Sequence, residues 1–192
     1  MGIASPVSSE SFEARYRGGQ DPWSLAHSDY ELNRYRTLLT SLDLAAYGTV
    51  YEPGCSIGVL TQQLAAIATR VIAVDFAPSA IEQAKLRCAS HPNVEILCAD
   101  VRTFDPDTPL ELIVFSEIGY YFSAEELSRM ASRLTSRLVP GGEFLAAHWL
   151  GSSPDHVLRG DEVHEILGRS ADLLPLRSEH HQGFRLDSWT RQ

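Results

Sequence analysis

Cysteine, cationic charge and long apolar runs are all scarce in this 192-residue chain. Three cysteines, Cys55, Cys88 and Cys98, are an odd number with no CxxC spacing. That excludes a disulfide frame, argues against a zinc site, and suits reduced thiols in a cytoplasmic protein. Lys and Arg total 16 against 25 Asp and Glu, a net charge of −9. Such a balance argues against a nucleic-acid backbone or an anionic membrane as the main partner. No apolar run approaches the ~20 residues needed to span a bilayer, and MGIASPVSSESFEARYR lacks the apolar segment of a signal peptide. There is no internal repeat and no low-complexity tract. What remains is ordinary globular composition, 44% apolar and 21% charged, at a length that suits one domain, residues 1–192.

The first twenty residues are polar and include Gly18-Gly19, which predicts a loose segment or a lid. Tyr30, Tyr35, Leu38, Leu39 and Leu42 recur at helical spacing, so 28–42 reads as a helix and 1–45 as a helical N-terminal lid or cap. From Thr49 the texture alternates. Strands are expected at TVYE, 71–76, 94–100, 110–117 and 143–150. Helices are expected at 59–68, 78–89, 124–139 and 161–169, with Pro78 at a first turn and Pro140-Gly141-Gly142 as a stop. The tail folds most simply as a hairpin around Gln182-Gly183. Strands alternating with helices predict an α/β fold, a doubly wound, seven-stranded, mostly parallel sheet with one antiparallel edge strand.

In such sheets ligands sit beyond the carboxyl ends of the strands. The stretch VYEPGCSIG places a glycine turn at the end of the first strand, and Asp75 ends the next. Gly54 and Gly58 permit backbone angles and close approaches that a side chain blocks. The turn alone also fits a plain strand-to-helix connection. A phosphate loop wants a lysine at its end, but Val59 and Leu60 follow here. A dinucleotide site wants GxGxxG without a charge facing the pyrophosphate, but Glu52 stands at the strand end. A carboxylate suits a cationic or amine-bearing ligand.

With these residues the chain resembles the class I S-adenosylmethionine methyltransferases. Glu52-Pro53-Gly54-Cys55-Ser56-Ile57-Gly58 matches their acidic-x-G-x-G-x-G motif, with Ser56 for the middle glycine. By resemblance, Asp75 accepts from the two ribose hydroxyls and Phe76 covers the adenine. Asp100, followed by Val101, accepts from the exocyclic amine, and Ser116 with Glu117 lines the methionine arm. Glu52, Gly54, Cys55 and Gly58 complete the implied cofactor set. The implied cofactor is S-adenosyl-L-methionine, with S-adenosyl-L-homocysteine as product. Within that class, EPGCSIG, Asp21-Pro22-Trp23 and Ser116-Glu117-Ile118-Gly119-Tyr120-Tyr121-Phe122 resemble the NodS-like (nodulation protein S) methyltransferases. His148-Trp149 and Gly160-Asp161-Glu162-Val163-His164 resemble part of that group. The resemblance implies a small-molecule or saccharide acceptor, with an amino-sugar amine as the leading choice, and a monomer or homodimer. An O-methyltransferase of a small polar metabolite, a non-catalytic cofactor-binding module and a nicotinamide oxidoreductase are the alternatives.

An attacking amine must be neutral, so a carboxylate or histidine should take its proton. Glu117, Tyr120 and His148 are therefore the candidate catalytic residues. Glu117 holds an amine or hydroxyl, His148 is the candidate base, and the Tyr and Trp rings suit a sugar face or a cation. Each has a plainer reading. Glu117 also fits a helix cap, Tyr120 and Tyr121 fit packing aromatics, and His148 fits a structural histidine. Asp161 and His164 share a helix face and fit either a surface contact or the acceptor pocket. Arg34 and Arg36 fit either a cofactor carboxylate or solvent. No metal is expected, since His180 and His181 are adjacent in a strand and point to opposite faces.

Overall fold

The computed structural model describes residues 9–192. The chain divides into two compact units, one ending at Phe104 and one running from Asp105 to Gln192. The first contains α1 (Ser9–Gly18), α2 (Asp29–Thr40), β1 (Tyr47–Pro53), α3 (Val59–Leu64), β2 (Ala68–Asp75), α4 (Pro78–Arg87) and β3 (Val94–Cys98). The second contains β4 (Leu110–Ser116), a 3-10 turn (Gly119–Tyr121), α5 (Ala124–Arg137) and β5 (Leu138–Trp149). It continues with α6 (Gly160–Leu167), β6 (Leu173–His180) and β7 (Phe184–Arg191). The seven strands run in the order β3-β2-β1-β4-β5-β7-β6. This is the mostly parallel α/β sheet that the sequence predicts.

In the first unit β1, β2 and β3 are parallel neighbours, with Glu52 opposite Ala73 and Asp75 opposite Cys98. Val50, Tyr51 and Val71 to Val74 are buried, the near-continuous apolar run of strands covered on both faces. The carboxyl ends of all three strands therefore lie at one end of the unit. Helix α3 stops at Leu64 and β2 already begins at Ala68, so the helix expected over 59–68 is shorter than its apolar pattern.

Of the two expectations for the first twenty residues, a loose segment or a lid, residues 9–18 form the helix α1; residues 1–8 lie outside the described residues. Phe12 and Tyr16, one helical turn apart, are both buried. Phe12 meets Phe76 edge-on at 5.4 Å, and Tyr16 meets Trp23 at 5.3 Å. Glu13 on the same helix accepts from the Ser79 amide at 3.1 Å and its hydroxyl at 2.6 Å, at the start of α4. The polar composition concealed a one-sided aromatic stripe, which is enough to seat a short helix.

In the second unit β4 and β5 are parallel, and β7 lies antiparallel between β5 and β6. The hairpin turn falls at 181–183, as the sequence suggests, and β6 closes the edge. Pro175, a register shift beside it and the Arg177–Glu179 ion pair interrupt that edge, features that discourage further strand pairing. Pro140-Gly141-Gly142 does not separate helix from strand. Leu138 already pairs with Leu110 and Glu143 with Leu112, so residues 139–142 bulge out of β5. Helix α5 buries Leu127, Met130, Ala131 and Leu134 as one stripe. Its start is fixed by a reciprocal cap, in which Ser123 Oγ accepts from the Glu126 amide and Glu126 accepts from the Ser123 amide. Among the described residues no helix is long and apolar enough to cross a membrane.

Candidate active site

The glycine turn follows β1 directly. Gly54 (φ 78°), Ser56 (φ 50°) and Gly58 (φ 77°) all take left-handed backbone angles. At Ser56 this conformation costs energy that a glycine would not incur. The serine offsets it with two bonds: its amide donates to Asp75 Oδ2 at 2.9 Å, and its hydroxyl pairs with the Tyr16 hydroxyl at 2.6 Å. Gly58 belongs to packing as well as to the turn. A Cβ there would stand 3.0 Å from the Ala84 backbone on α4. Cys55 is buried, with its thiol pushed well up by burial.

Asp75, at the end of β2, is buried, and its other oxygen accepts from the Ala77 amide at 2.9 Å. Burial raises its pKa, against the backbone bonds that lower it. Glu52, at the end of β1, is also buried and accepts from the Thr61 hydroxyl at 2.5 Å. Burial, reinforced by the Asp75 charge and opposed by Thr61, pushes its pKa up to about 8. Asp100 follows β3, accepts from the Arg102 amide at 2.8 Å and is half-exposed, with Val101 buried behind it. Phe76 is half-buried against Phe12. Three neighbouring parallel strands thus end in three carboxylates beside one left-handed turn. Arg34 is buried and ion-paired with Glu31 on α2. Glu13, Tyr16 and Thr61 support this corner. Nothing in their local sequence pattern marks them.

The second group of candidates lies in the unit from Asp105 onward. Ser116 ends β4, and its Oγ is buried with no hydrogen-bond partner among the described residues. Glu117 has φ 61°, a left-handed angle that strains a residue with a side chain. Its two oxygens are separately fixed. Oε1 accepts from the Trp149 amide at 2.6 Å and Oε2 from the Tyr120 hydroxyl at 2.7 Å. Glu117 does not cap α5, which Ser123 does.

His148 is fully buried. Its Nε2 accepts from the Gly119 amide at 3.0 Å, which leaves Nδ1 to donate to His164 Nε2 at 3.2 Å. His164 Nδ1 then faces Asp187 Oδ2 at 3.0 Å. Burial lowers the His164 pKa, so it stays neutral despite the nearby carboxylate. Burial would raise Asp187, but the bonds from His164 and Arg185 outweigh it and bring it down to about 2. Both ring nitrogens of His148 are thus engaged inside the protein. Through Nε2 it holds the Gly119 turn. A Cβ on Gly119 would stand 2.4 Å from Val163 and 2.8 Å from His148 Nε2, so only glycine fits there. Asp161 and His164 do not pair with each other. Asp161 bonds Arg185 and His180, at 3.2 and 3.3 Å.

One residue here escaped sequence reasoning. His156, in the loop before α6, stacks on Tyr120 with centroids 3.8 Å apart and planes at 15°. Tyr121 and Trp149 meet it edge-on at 5.3 and 6.0 Å. A lone histidine in an irregular loop carries no periodic signal. His180 and His181 go to separate acids, Asp161 and Glu179.

Comparison with known proteins follows the same lines. The family model Nodulation protein S (NodS) matches residues 10–166. Nodulation protein S of Rhizobium tropici is 31% identical over 162 residues, 80% of this chain and 66% of that protein. The chain spans just under two thirds, 62–66%, of the length of the curated nodulation proteins it matches. Phosphoethanolamine N-methyltransferase 3 of Arabidopsis thaliana is 32% identical over 118 residues, 60% of this chain and 24% of that protein. Among solved structures, the N-methyltransferase NodS of Bradyrhizobium japonicum with S-adenosyl-L-homocysteine superposes with a TM-score of 0.86. It is 24% identical, covers 96% of this chain and 99% of its own, and so shares the fold. A model match over most of the chain is decisive for kinship: this chain belongs to the nodulation protein S family.

Proposed function

We propose that this chain transfers a methyl group from S-adenosylmethionine to an amine of a small or sugar-like acceptor, most simply an amino sugar. One observation carries the reading. Asp75 is buried beside the glycine turn, oriented by the Ser56 amide on one oxygen and the Ala77 amide on the other, with the Phe76 amide also bonded to it, and its carboxylate keeps acceptor capacity beyond those bonds. A pair of ribose hydroxyls would use that capacity. Glu52, held largely protonated by burial, is a carboxyl that an arriving cation would ionise. Asp100 and Phe76 supply an acceptor and a ring face for a base. These residues fit the nucleoside, the amine and the sulfonium of that cofactor. When bound, it supplies an already activated methyl group.

The protein's work is then positioning and exclusion of water. Glu117, pinned on both oxygens, presents a fixed carboxylate to a hydroxyl or amine. Tyr120, Tyr121 and Trp149 offer ring faces, which suit a sugar or a cation. His148 holds the turn that carries Glu117 and Tyr120. The similar proteins that are N-methyltransferases support nitrogen as the methylated atom.

Calorimetry with S-adenosylhomocysteine, and labelled methyl transfer to glucosamine and partially deacetylated chitotriose, test the reading. Micromolar binding and labelled product are expected. A protein stabilised by a nicotinamide dinucleotide but not by S-adenosylhomocysteine would overturn it.

A further inference from the structure

We propose that His156 is a catalytic residue, the base that takes the proton from an amine acceptor seated among Tyr120, Tyr121, Trp149 and Glu117. The assignment rests on the methyl-transfer reading and deepens it, naming the group that activates the acceptor and limiting the acceptor to amines.

Three rings converge on the imidazole. Tyr120 is buried and stacks on it, while Tyr121 and Trp149 stand edge-on and, like His156, are half-exposed. Tyr120 and Tyr121 also meet edge-on at 4.9 Å. The loop is fixed by its backbone: the Val157 and Leu158 amides donate to the Tyr120 carbonyl at 2.8 and 3.1 Å, and the His156 amide donates to Ser153 at 3.0 Å. The imidazole is therefore set in place before any ligand arrives. Glu117, whose Oε2 holds the Tyr120 hydroxyl, completes the cluster. Aromatic walls with one carboxylate form the chemistry that recognises an amine or ammonium.

His156 Nδ1 is buried and, among the described residues, has no hydrogen-bond partner. A buried ring nitrogen left so costs about 1–3 kcal/mol, which a structural histidine avoids and a ligand-binding one recovers. Burial also lowers its pKa, against Asp155 and Glu117, which raise it. Those two acids are the charged groups that act on it. The ring is thus neutral near pH 7 and has a lone pair to give.

The step balances as a proton transfer. An N–H bond of the acceptor ammonium breaks, its electron pair stays on nitrogen as the attacking lone pair, and the proton passes to the imidazole. The imidazolium then releases it to solvent. His148, with both ring nitrogens engaged, has no lone pair free for this step.

The test compares wild type, His156→Phe, which keeps a stacked ring, and His156→Asn, which keeps a polar atom. Probes are glucosamine, partially deacetylated chitotriose and phosphoethanolamine. Expected for both variants is a kcat lowered 10²-fold or more, unchanged affinity for S-adenosylhomocysteine, and loss of the acid limb of the pH–rate profile. In labelled-histidine NMR without methyl donor, glucosamine should shift the His156 ring resonances and leave those of His180 in place. Variants with kcat within 2-fold of wild type, a retained acid limb, or His156 resonances unmoved by all three amines would each overturn the assignment. So would a wild type that binds S-adenosylhomocysteine but methylates none of the probes. A wild type that does not bind S-adenosylhomocysteine would overturn the methyl-transfer reading itself, and the base assignment with it.

Discussion

At the scale of single residues, Asp75 carries the most testable claim. Its carboxylate is oriented by the Ser56 and Ala77 amides, so truncation removes an acceptor pair without emptying the core. Asp75→Ala should weaken S-adenosylhomocysteine binding at least tenfold by calorimetry, and should lower the thermal midpoint as the Ser56 and Ala77 amides lose their acceptor; unaltered affinity in the folded variant would contradict the ribose role. This residue was legible in the sequence because an acid closing an apolar strand has no packing reason to be there. Ser56 was half legible: the motif position is visible, but its left-handed angle and its bond to Tyr16 exist only once α1 folds back over forty residues of chain. His148 was legible in place, while the bonds that engage both its ring nitrogens were not. A strand-end histidine looks exposed until α6 covers it, and α6 is contributed by residues beyond the strand. His156 was invisible, since its partners Tyr120 and Trp149 come from other segments of the chain.

Elements set the Glu117 turn more than any one side chain does. Gly119 fits between Phe115 of β4, His148 of β5 and Val163 of α6. Gly119→Ala should therefore destabilise the protein by about 1–3 kcal/mol, the usual cost of overpacking a well-filled site. Adding Val163→Ala should return part of that loss, because the closest clash is with Val163 Cγ1. Urea titration of both variants and the pair checks it; a pair as unstable as the sum of the singles would mean that the clash is not with α6. His148→Phe keeps ring volume but leaves the Gly119 amide and His164 Nε2 without their partner. It should cost about 1–3 kcal/mol and lower kcat while sparing affinity for S-adenosylhomocysteine. A variant with lower affinity and intact kcat would remove His148 from the acceptor side. The elements themselves were mostly readable from period and punctuation. The exceptions have local causes: α1 was hidden by polar composition, and the bulge at 139–142 was hidden because Pro-Gly-Gly reads as an end, not as an interruption within a strand.

For the whole molecule, buried acids set how stability follows pH, and they pull in opposite directions. Asp187 titrates near 2 in the fold against 3.8 as a free side chain. Its contribution is present above about pH 4 and lost as pH falls toward 2, worth roughly 2 kcal/mol. His164, lowered from 6.5 by burial, adds a loss on the acid side as the unfolded chain takes up a proton that the fold refuses. Glu52 acts the other way. Its pKa is near 8 in the fold against 4.5 free, so between those values the folded state holds a proton that the unfolded chain has released. Its carboxyl is most favourable below pH 4.5, and stability declines as pH rises from there to about 8, by roughly 5 kcal/mol at most. Glu52→Gln keeps an acceptor for Thr61 and removes the titration. Thermal midpoints taken between pH 5 and 9 should fall with pH in the wild type and stay nearly level in the variant, with the variant the more stable above pH 8. The same substitution should weaken S-adenosylhomocysteine binding, because the carboxyl that destabilises the empty fold is the one an arriving cation would ionise. A wild-type profile flat from pH 5 to 8, or a variant that keeps the slope, would mean that Glu52 is already ionised in the fold, and the corner at the end of β1 would then lose its reason to hold a cation.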